Sequence, residues 1–358
     1  MGKLAVFKYF SFIMLVITLL MAVFTFFGLY GGSSYPAGNM AQAMLVYALP
    51  LLIMGNIVLL LYWLVRCRWH WAIVPLFTLV CCLGFIGTYY QIGGGDPEDE
   101  AKAGLKVATY NVASFNRETT GFISQDILTE MKKEKVDVLC LQEYNEYSGD
   151  KNNTASYKEY FPHMITGINT RYAIFSRYPI KEHDKIEFPA SNNGAMWANI
   201  DVNGKMVRVY NVHLETAGAH HVMGHAAKME EEGYDVSGNR LLEAVYGSYT
   251  RGVVKRAGQA NLLAQEIQKC DIPVILAGDF VDVPYSYVYN TLTGGRLVDG
   301  FKECGSGLMQ TLRGSRVSKS FMRIDYVLHD KSLDCASYYK KELSYSDHYP
   351  IFSKVVLN

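Results

Sequence analysis

The sequence predicts a mixed α/β domain that follows an apolar, helical N-terminal region. The first observation is the distribution of charge, since four of the 34 basic residues and none of the 34 acidic residues precede Asp96. The second is a series of short β-branched runs beyond Asp96, each typical of a buried strand. The third is helical apolar periodicity in two stretches between those runs. Strands that alternate with helices in this way favour an α/β fold.

The N-terminal region contains three apolar stretches, each long enough for the roughly 20 residues that a membrane-spanning helix needs. Pro50 and Pro75 interrupt two of them, which a membrane helix tolerates where neighbouring helices cover the freed carbonyl groups. A signal peptide alone does not explain the pattern, because its apolar region is shorter and further spans follow here. The sequence therefore predicts a membrane anchor over residues 1–92, with spans at about 9–30, 41–65 and 71–92.

The short loops around these spans carry positive charge on one side only. Lys3 and Lys8 precede the first span, and Arg66 and Arg68 lie between the second and the third. Such loops stay in the cytoplasm. We therefore expect a multi-pass protein of the cell membrane, with a cytoplasmic N-terminus and an extracytoplasmic C-terminal domain. Because the spans carry no ionisable group except His70 at a boundary, they are predicted to anchor and not to transport.

The part beyond residue 95 carries 30 basic and 34 acidic residues, a net charge of −4. Proteins that depend on non-specific contacts with a phosphate backbone need clustered Lys and Arg. This balance disfavours a nucleic-acid-binding function. A Gly-rich, acidic segment at 93–104 is predicted as a linker, and residues 105–358 as one domain with a large core.

Apolar runs and periodic stretches define the predicted elements of this domain. The strands are Lys106–Tyr110, Val136–Leu141, Tyr172–Ser176, Met196–Val202, Met206–Val212, Pro273–Ala277 and Ile324–Leu328, and the helices are Ser124–Glu134 and Val254–Lys269.

The segment Glu215–Tyr249 differs from its surroundings, because it combines three histidines (His220, His221 and His225) with an acidic run at 230–232. His221 and His225 are spaced to share a helix face, which is compatible with zinc. The segment's position between a strand and a helix predicts a long loop or an irregular helical insertion at the rim of the domain, and a solvated rim loop is preferred over a zinc site.

The cysteines of the C-terminal domain match no metal-binding motif. Cys140, Cys270, Cys304 and Cys335 are interpreted as buried free thiols. A Cys304–Cys335 disulfide is the alternative, which an oxidising compartment would allow.

Polar residues stand where several predicted strands end. A lone Asp or Asn in such a place usually forms a turn or caps a helix. Six polar strand ends in one chain are hard to assign to turns. They are Thr109-Tyr110-Asn111, Leu141-Gln142-Glu143, residues 210–214, residues 276–280, residues 323–326 and residues 346–350.

In these motifs the chain resembles the endonuclease/exonuclease/phosphatase superfamily, which has the DNase I-like fold. Residues 172–180 resemble a further signature of that superfamily, and the resemblance extends from about Lys106 to the C-terminus. It implies a four-layer α/β sandwich of two packed mixed sheets flanked by helices. It also implies a metal-dependent phosphoesterase.

The resemblance implies a magnesium site, and hard carboxylate oxygens are the ligands that Mg²⁺ prefers. Glu143 would be the principal ligand of Mg²⁺, for which Mn²⁺ can substitute, and Asn111 and Asp347 would complete the inner or outer shell. The cation would relieve charge on the phosphoryl oxygens. Arg323 is either a contact to the substrate phosphate or a surface salt-bridge partner.

The resemblance also implies catalytic roles for five residues. His348 would be the base or the histidine that steadies the phosphate, and Asp325 would orient it. His213 is similar to a second histidine that donates to a phosphate oxygen. Asp279 would orient the attacking water. Asn211 would hold the phosphate or that histidine's loop, with a simple strand-capping role as the alternative.

Val281 departs from the family pattern, which reads Gly-Asp-Phe-Asn around Asp279. The following residues, Asp282-Val283-Pro284, keep the spacing of the motif, so Val281 is a substitution for Asn. Val can neither donate nor accept a hydrogen bond. Losing one positioned transition-state donor costs about 10²–10³ in rate. We therefore expect a working or impaired enzyme in preference to a domain without catalysis.

Three functions remain in competition. The leading one is hydrolysis of a phosphodiester or phosphomonoester outside the cytoplasm, with a lipid headgroup at the membrane surface as one candidate substrate. The alternatives are a membrane-tethered nuclease and an inactive sensor or scaffold that binds phosphorylated ligands. The net charge and the predicted anchor favour the first.

The predicted orientation can be tested in intact cells with a membrane-impermeant thiol reagent. The reagent should label an engineered cysteine at Asp99 but not one at Lys3, because the four N-terminal cations share the cytoplasmic side. Labelling at Lys3 alone would reverse the orientation.

Overall fold

The predicted α/β domain consists of two mixed sheets of six strands each, with a small ribbon beside them. The computed structural model describes residues 3–94, 104–117, 121–144, 152–166, 171–216, 238–313 and 320–358. The chain divides into two units. One unit comprises Met1–Thr88 and Val283–Asn290, and the other comprises Tyr89–Asp282 and Thr291–Asn358.

The elements are numbered in chain order within the described residues. The helices are α1 (Lys3–Leu29), α2 (Met40–Val65), α3 (Trp69–Cys81), α4 (Leu83–Ile86), α5 (Phe122–Lys133), α6 (Asn152–Tyr160), α7 (Gly238–Gln268), α8 (Tyr287–Thr293) and α9 (Gly300–Cys304). The strands are β1 (Tyr90–Gln91), β2 (Leu105–Asn111), β3 (Val138–Gln142), β4 (His163–Thr166), β5 (Tyr172–Ser176), β6 (Ile180–Glu187), β7 (Gly194–Val202), β8 (Lys205–His213), β9 (Val274–Asp279), β10 (Leu297–Asp299), β11 (Gly307–Leu308), β12 (Asp325–Asp330), β13 (Asp334–Lys340) and β14 (Ile351–Val356).

Each large sheet has one parallel pair at its centre. The first sheet has the order β13-β14-β2-β3-β5-β4 with β2 and β3 parallel, and the second has the order β10-β12-β9-β8-β7-β6 with β8 and β9 parallel. A parallel pair needs a crossover connection, and α5 and α7 lie in these two crossovers. The carboxyl ends of the four central strands carry Asn111, Glu143, His213 and Asp279.

Apolar side chains fill the space between the two sheets and cover their outer faces. Full burial of such a side chain contributes about 1.5–3 kcal/mol. Between the sheets lie Val107, Val138, Cys140 and Ile174 from the first and Met196, Val209, Ile275 and Val327 from the second. On the outer face of the first sheet, Leu139, Leu141 and Phe175 pack with Ile127, Met131, Tyr157 and Phe161 of the α5 and α6 region.

All seven predicted strands are confirmed, and their ends shift by no more than two residues. The helix predicted at Val254–Lys269 is present but longer than expected, since α7 extends from Gly238 to Gln268. Residues 238–249 belong to the segment that was predicted as a long loop or an irregular helical insertion, and the structure shows a regular helix there. Leu242 and Tyr246 in that part of the helix are 68% and 56% exposed, so no continuous apolar stripe marks it in the sequence.

Two helices in the described residues are long and apolar enough to cross a membrane, at Lys8–Leu29 and Met40–Val65. The prediction of a third span at 71–92 is wrong. There α3 has 13 residues and α4 has 4, and Tyr90–Gln91 form β1, which pairs with β11. A helix of 13 residues extends about 20 Å, and the hydrocarbon core of a bilayer is about 30 Å thick.

Buried polar side chains join α1 to α2. Trp63 Nε1 donates to Thr18 Oγ1 at 2.9 Å, and Asn56 Nδ2 donates to Thr25 Oγ1 at 2.9 Å. Each threonine hydroxyl donates in turn to a carbonyl oxygen of the preceding turn of α1, at 2.7 Å. Hydrogen bonds of this kind stabilise helix pairs in membranes by about 0.6–2 kcal/mol.

Cys304 and Cys335 form a disulfide, with their Cα atoms 5.7 Å apart. The preference for free thiols at these two positions was wrong, because α9 lies beside β13 and brings the sulfur atoms together. Cys140 and Cys270 are buried free thiols, as expected. The histidines at 220, 221 and 225 and the acidic run at 230–232 lie outside the described residues.

Gly278 approaches β8 so closely that no side chain fits. Its φ is 148°, and a Cβ atom there would lie 2.0 Å from the carbonyl oxygen of Val212. Gly204, in the turn between β7 and β8, has a φ of 91° but nothing within 4 Å of a Cβ atom.

We expect Gly278→Ala to lower the free energy of unfolding by roughly 3 kcal/mol or more, and Gly204→Ala by about 1 kcal/mol. Unfolding of the detergent-solubilised chain in urea checks this. Equal losses would show that the positive φ alone sets the cost.

Candidate active site

Asp279 lies at the end of β9 with a site residue on either side of it. Its partner in the register of β8 is His213, and its partner on β12 is Asp325. Directly opposed residues of neighbouring strands place their side chains on one face. His213 Nε2 accordingly lies 3.6 Å from Asp279 Oδ2. The pairing of three strands therefore builds one half of the site.

His348 lies in the segment that leads into the first sheet, three residues before β14 begins. Its Nδ1 lies 3.0 Å from Asp325 Oδ2 and 3.1 Å from Oδ1, and its Nε2 lies 3.8 Å from Asp279 Oδ2. All three side chains are buried. Within the described residues, Asp279, Asp325 and His348 form the group of side chains whose ligand atoms lie close enough to hold a metal ion.

The carboxylates beside His348 control its protonation. Burial lowers the pKa of the imidazole, but the charges of Asp325 and Asp279 outweigh burial and raise that pKa to about 10. Burial also raises the pKa of the Asp325 carboxyl, against the attraction of His348. The pair therefore holds a proton between its two side chains more firmly than either group does in water.

Asn111 and Glu143 complete the cluster from the carboxyl ends of β2 and β3. Asn111 Nδ2 donates to Asp279 Oδ2 at 3.0 Å, across the two sheets, and lies 3.4 Å from Glu143 Oε1. Glu143 has a left-handed backbone conformation with a φ of 49°, and its side chain is 28% exposed. Glu143 thus presents its carboxylate at the open side of a cluster whose other members are buried.

His213 is buried, and neither of its ring nitrogens has a hydrogen-bond partner among the described residues. Its Nε2 faces Asp279 at 3.6 Å and Glu143 Oε1 at 4.0 Å. A buried polar group without a partner costs about 1–3 kcal/mol. A ring left in this state beside two carboxylates indicates a ligand that completes its hydrogen bonds.

The donor atoms present fit a divalent cation. Glu143 and Asp279 offer carboxylate oxygens, which are the ligands that Mg²⁺ prefers. Asn111 Oδ1 accepts from the N–H of Ala113 at 3.0 Å, so Asn111 turns its Nδ2 towards these two carboxylates. Asp347, predicted as a further ligand, is exposed at the rim, and its Oδ1 accepts from Ser346 Oγ at 3.2 Å. Its charge reaches the cluster, since it helps to raise the pKa of His348.

Arg323 contradicts both expectations for it. The side chain is fully buried and pairs with Asp299 through two hydrogen bonds, of 2.7 and 2.6 Å. Its guanidinium also lies over the rings of Tyr326 and Phe301, at 4.7 and 4.9 Å from their centroids. Arg323 is therefore a core residue, enclosed by Asp299 and aromatic rings.

Asn211 joins the two sheets. Its Nδ2 donates to the carbonyl oxygens of Leu141 and Ala173 at 2.9 Å, and its Oδ1 accepts from Gln142 Nε2 at 2.7 Å. These contacts support a structural role and give no support to a phosphate contact. Gln142, which holds Asn211, was not predicted to contribute to the site, although it stands in the polar strand end Leu141-Gln142-Glu143.

Val281 has a φ of 52°, in the left-handed region. β-Branched residues are rare there, whereas Asn adopts it readily. Its N–H donates to Asp279 Oδ1 at 2.9 Å. The next residue, Asp282, turns into the core and forms a buried ion pair with Arg256 Nε at 3.3 Å. The backbone therefore keeps a conformation that suits Asn, although Val occupies it.

Residues 108–348 match the model of the Endonuclease/Exonuclease/phosphatase family. The chain belongs to this family. Its members are generally phosphoesterases or nucleases, and they typically use a divalent metal. Residues 10–89 match a domain family of unknown function. A search of curated proteins gives no match.

Solved structures of the same fold include enzymes with different substrates. A mannosyl-6-phosphatase of Bacteroides thetaiotaomicron is 16% identical, with a TM-score of 0.50 over 71% of this chain and 100% of that one. TDP2 of D. rerio, complexed with a single-strand DNA product, is 15% identical, with a TM-score of 0.51 over 71% and 100%. The human Nocturnin catalytic domain, with a bound sulfate, is 17% identical, with a TM-score of 0.50 over 71% and 95%. At these identities the likeness shows the fold alone.

Proposed function

We propose that this chain is a membrane-anchored phosphoesterase that hydrolyses a phosphodiester or phosphomonoester outside the cytoplasm with the help of Mg²⁺. One observation carries the proposal. The buried ring of His213 has no hydrogen-bond partner among the described residues, and it lies beside the carboxylates of Asp279 and Glu143. A cation would balance the carboxylates, and a phosphate oxygen would accept from the ring.

The chemistry follows from the position of each side chain. Glu143, with Asn111 and Asp279 beside it, would hold Mg²⁺, which supplies charge relief to the phosphoryl oxygens when it is bound. Asp279 orients the attacking water through its carboxylate. Asp325 fixes the His348 ring through Nδ1, so that Nε2 is left to face the phosphate or the water.

The substrate class is narrowed by charge. The similar folds include one protein that acts on a sugar phosphate and one that was solved with a DNA product. The net charge of −4 beyond residue 95 is unfavourable for a polyanion that binds through its backbone. A small or membrane-bound phosphoester is therefore preferred over a nucleic acid.

Activity of the full chain in detergent tests the proposal. We expect hydrolysis of bis-p-nitrophenyl phosphate or p-nitrophenyl phosphate with Mg²⁺ and none in EDTA. Glu143→Ala should lower kcat/KM by roughly 10²–10³-fold, because a charge that positions the cation and the phosphoryl group is lost. Glu187→Ala, which removes an exposed carboxylate on β6, is the matched control and should leave the rate unchanged. Unchanged turnover in EDTA would contradict the mechanism.

Val281→Asn should raise kcat by about 10- to 1000-fold, since one preorganised donor is worth about that much in the transition state. Val281→Gly is the control, because Gly also accepts the positive φ but adds no donor. A rise with Asn and none with Gly assigns the gain to the amide. The double variant Val281→Asn with His348→Ala should lose most of it. If Asn leaves the rate unchanged in a folded chain that binds Mg²⁺, another group already fills the role.

A further inference from the structure

A cavity of about 380 Å³ lies at one end of the α1–α2 pair, within the N-terminal unit. We call it the basic cavity. It is formed by the first turns of α1, the last turn of α2 and the residues that lead into α3. Its lining includes the cations Lys8, Arg66 and Arg68, the hydroxyl of Ser11, and the rings of Trp63 and Trp71.

The positive charge of the basic cavity has no acidic counterpart in the sequence of its unit. Neither Met1–Thr88 nor Val283–Asn290 contains an Asp or a Glu. In addition, α3 begins at Trp69, directly after Arg68, so the positive end of its dipole adds to the same field. The cavity therefore favours an anion.

The surroundings of the basic cavity favour an anion that carries acyl chains. Phe12, on the α1 side of the lining, is 62% exposed, and Val65 at the end of α2 is 83% exposed. Trp63 and Trp71 line the same cavity, with their ring centroids 6.4 Å apart, and tryptophan is typical of the boundary between hydrocarbon and water. A free phosphate would use the cations but would leave the apolar surface uncovered.

We propose that the basic cavity binds the phosphate headgroup of an anionic phospholipid. Arg66 and Arg68 offer planar guanidinium groups suited to paired hydrogen bonds with phosphate oxygens, and Lys8 adds a point charge. Basic pockets between helices on the cytoplasmic side of membranes are suited to such headgroups. The proposal rests on the membrane placement of α1 and α2 and is independent of phosphoester hydrolysis.

Lipid binding to the purified, delipidated full chain tests the proposal, with native mass spectrometry as the readout. The probes are dioleoyl phosphatidylglycerol, dioleoyl phosphatidylcholine with the same chains, and glycerol 1-phosphate without chains. We expect phosphatidylglycerol to bind at least about 10-fold more tightly than either of the others. Equal binding of phosphatidylcholine would overturn the proposal. Binding of glycerol phosphate as tight as that of phosphatidylglycerol would overturn the choice of a lipid.

Two variants at Ser11 place the site without removing a cation. Ser11→Glu puts a carboxylate among the cations and should weaken phosphatidylglycerol binding by about 10-fold or more. Ser11→Gln has nearly the same shape without the charge and should bind like the wild type. Equal binding by both variants would overturn the assignment to this cavity.

The cations themselves are tested by pairs of substitutions. Arg66→Gln with Arg68→Gln should weaken phosphatidylglycerol binding by about 30-fold, whereas Arg66→Lys with Arg68→Lys, which keeps the charge but loses the paired hydrogen bonds, should weaken it less. Glu143→Ala should bind phosphatidylglycerol like the wild type even where it loses hydrolysis. A wild-type chain that binds phosphatidylglycerol but hydrolyses no phosphoester would support the basic cavity and contradict only the phosphoesterase proposal.

Discussion

Asp279 and Asp325 are buried carboxylates that the pairing of β9 with β12 holds side by side, and the surrounding site compensates their repulsion. Burying a charge without compensation is costly. The compensation comes from outside that strand pair, through the imidazole of His348 and the amide of Asn111. A divalent cation would act on the same charges. The buried charges that are costly to bring together are therefore the same charges on which the proposed cation and phosphate would act.

Because the compensating groups come from the other sheet, the site depends on how the two sheets are joined. Asn211 of β8 bonds to the carbonyl of Leu141 and receives a bond from Gln142, both on β3. A buried polar network that is satisfied in only one arrangement fixes that arrangement more narrowly than apolar packing does. Arg323 with Asp299 plays a similar part within the second sheet. These residues influence the site by fixing the positions of the strands that carry its side chains.

Structural features that depend on the local sequence pattern could be predicted, whereas features that depend on residues distant in the chain could not. Interior strands such as β3 are apolar on both faces and are evident, whereas edge strands such as β6, whose sequence IKEHDKIE is mostly exposed, carry no apolar signal. The strand ends that carry Asp279 and His213 were predictable for the same reason. The burial of Arg323 was not, because it depends on Asp299 and aromatic rings elsewhere in the chain. The third predicted span failed because apolar composition does not reveal where a helix breaks.

The loop around Val281 is held by contacts of the residues on both sides of it. A left-handed conformation costs a residue with a Cβ atom roughly 1–2 kcal/mol, so it persists only where the neighbours impose it. Here Phe280 stacks on Tyr326 with centroids 4.7 Å apart, and its N–H donates to the carbonyl of Ile324. On the other side, Asp282 is held by the buried ion pair with α7. Residue 281 is thus placed by contacts that do not involve its own side chain. The Val side chain offers no donor, whereas the N–H of Val281 donates to Asp279. These two features together support the proposal of an impaired enzyme.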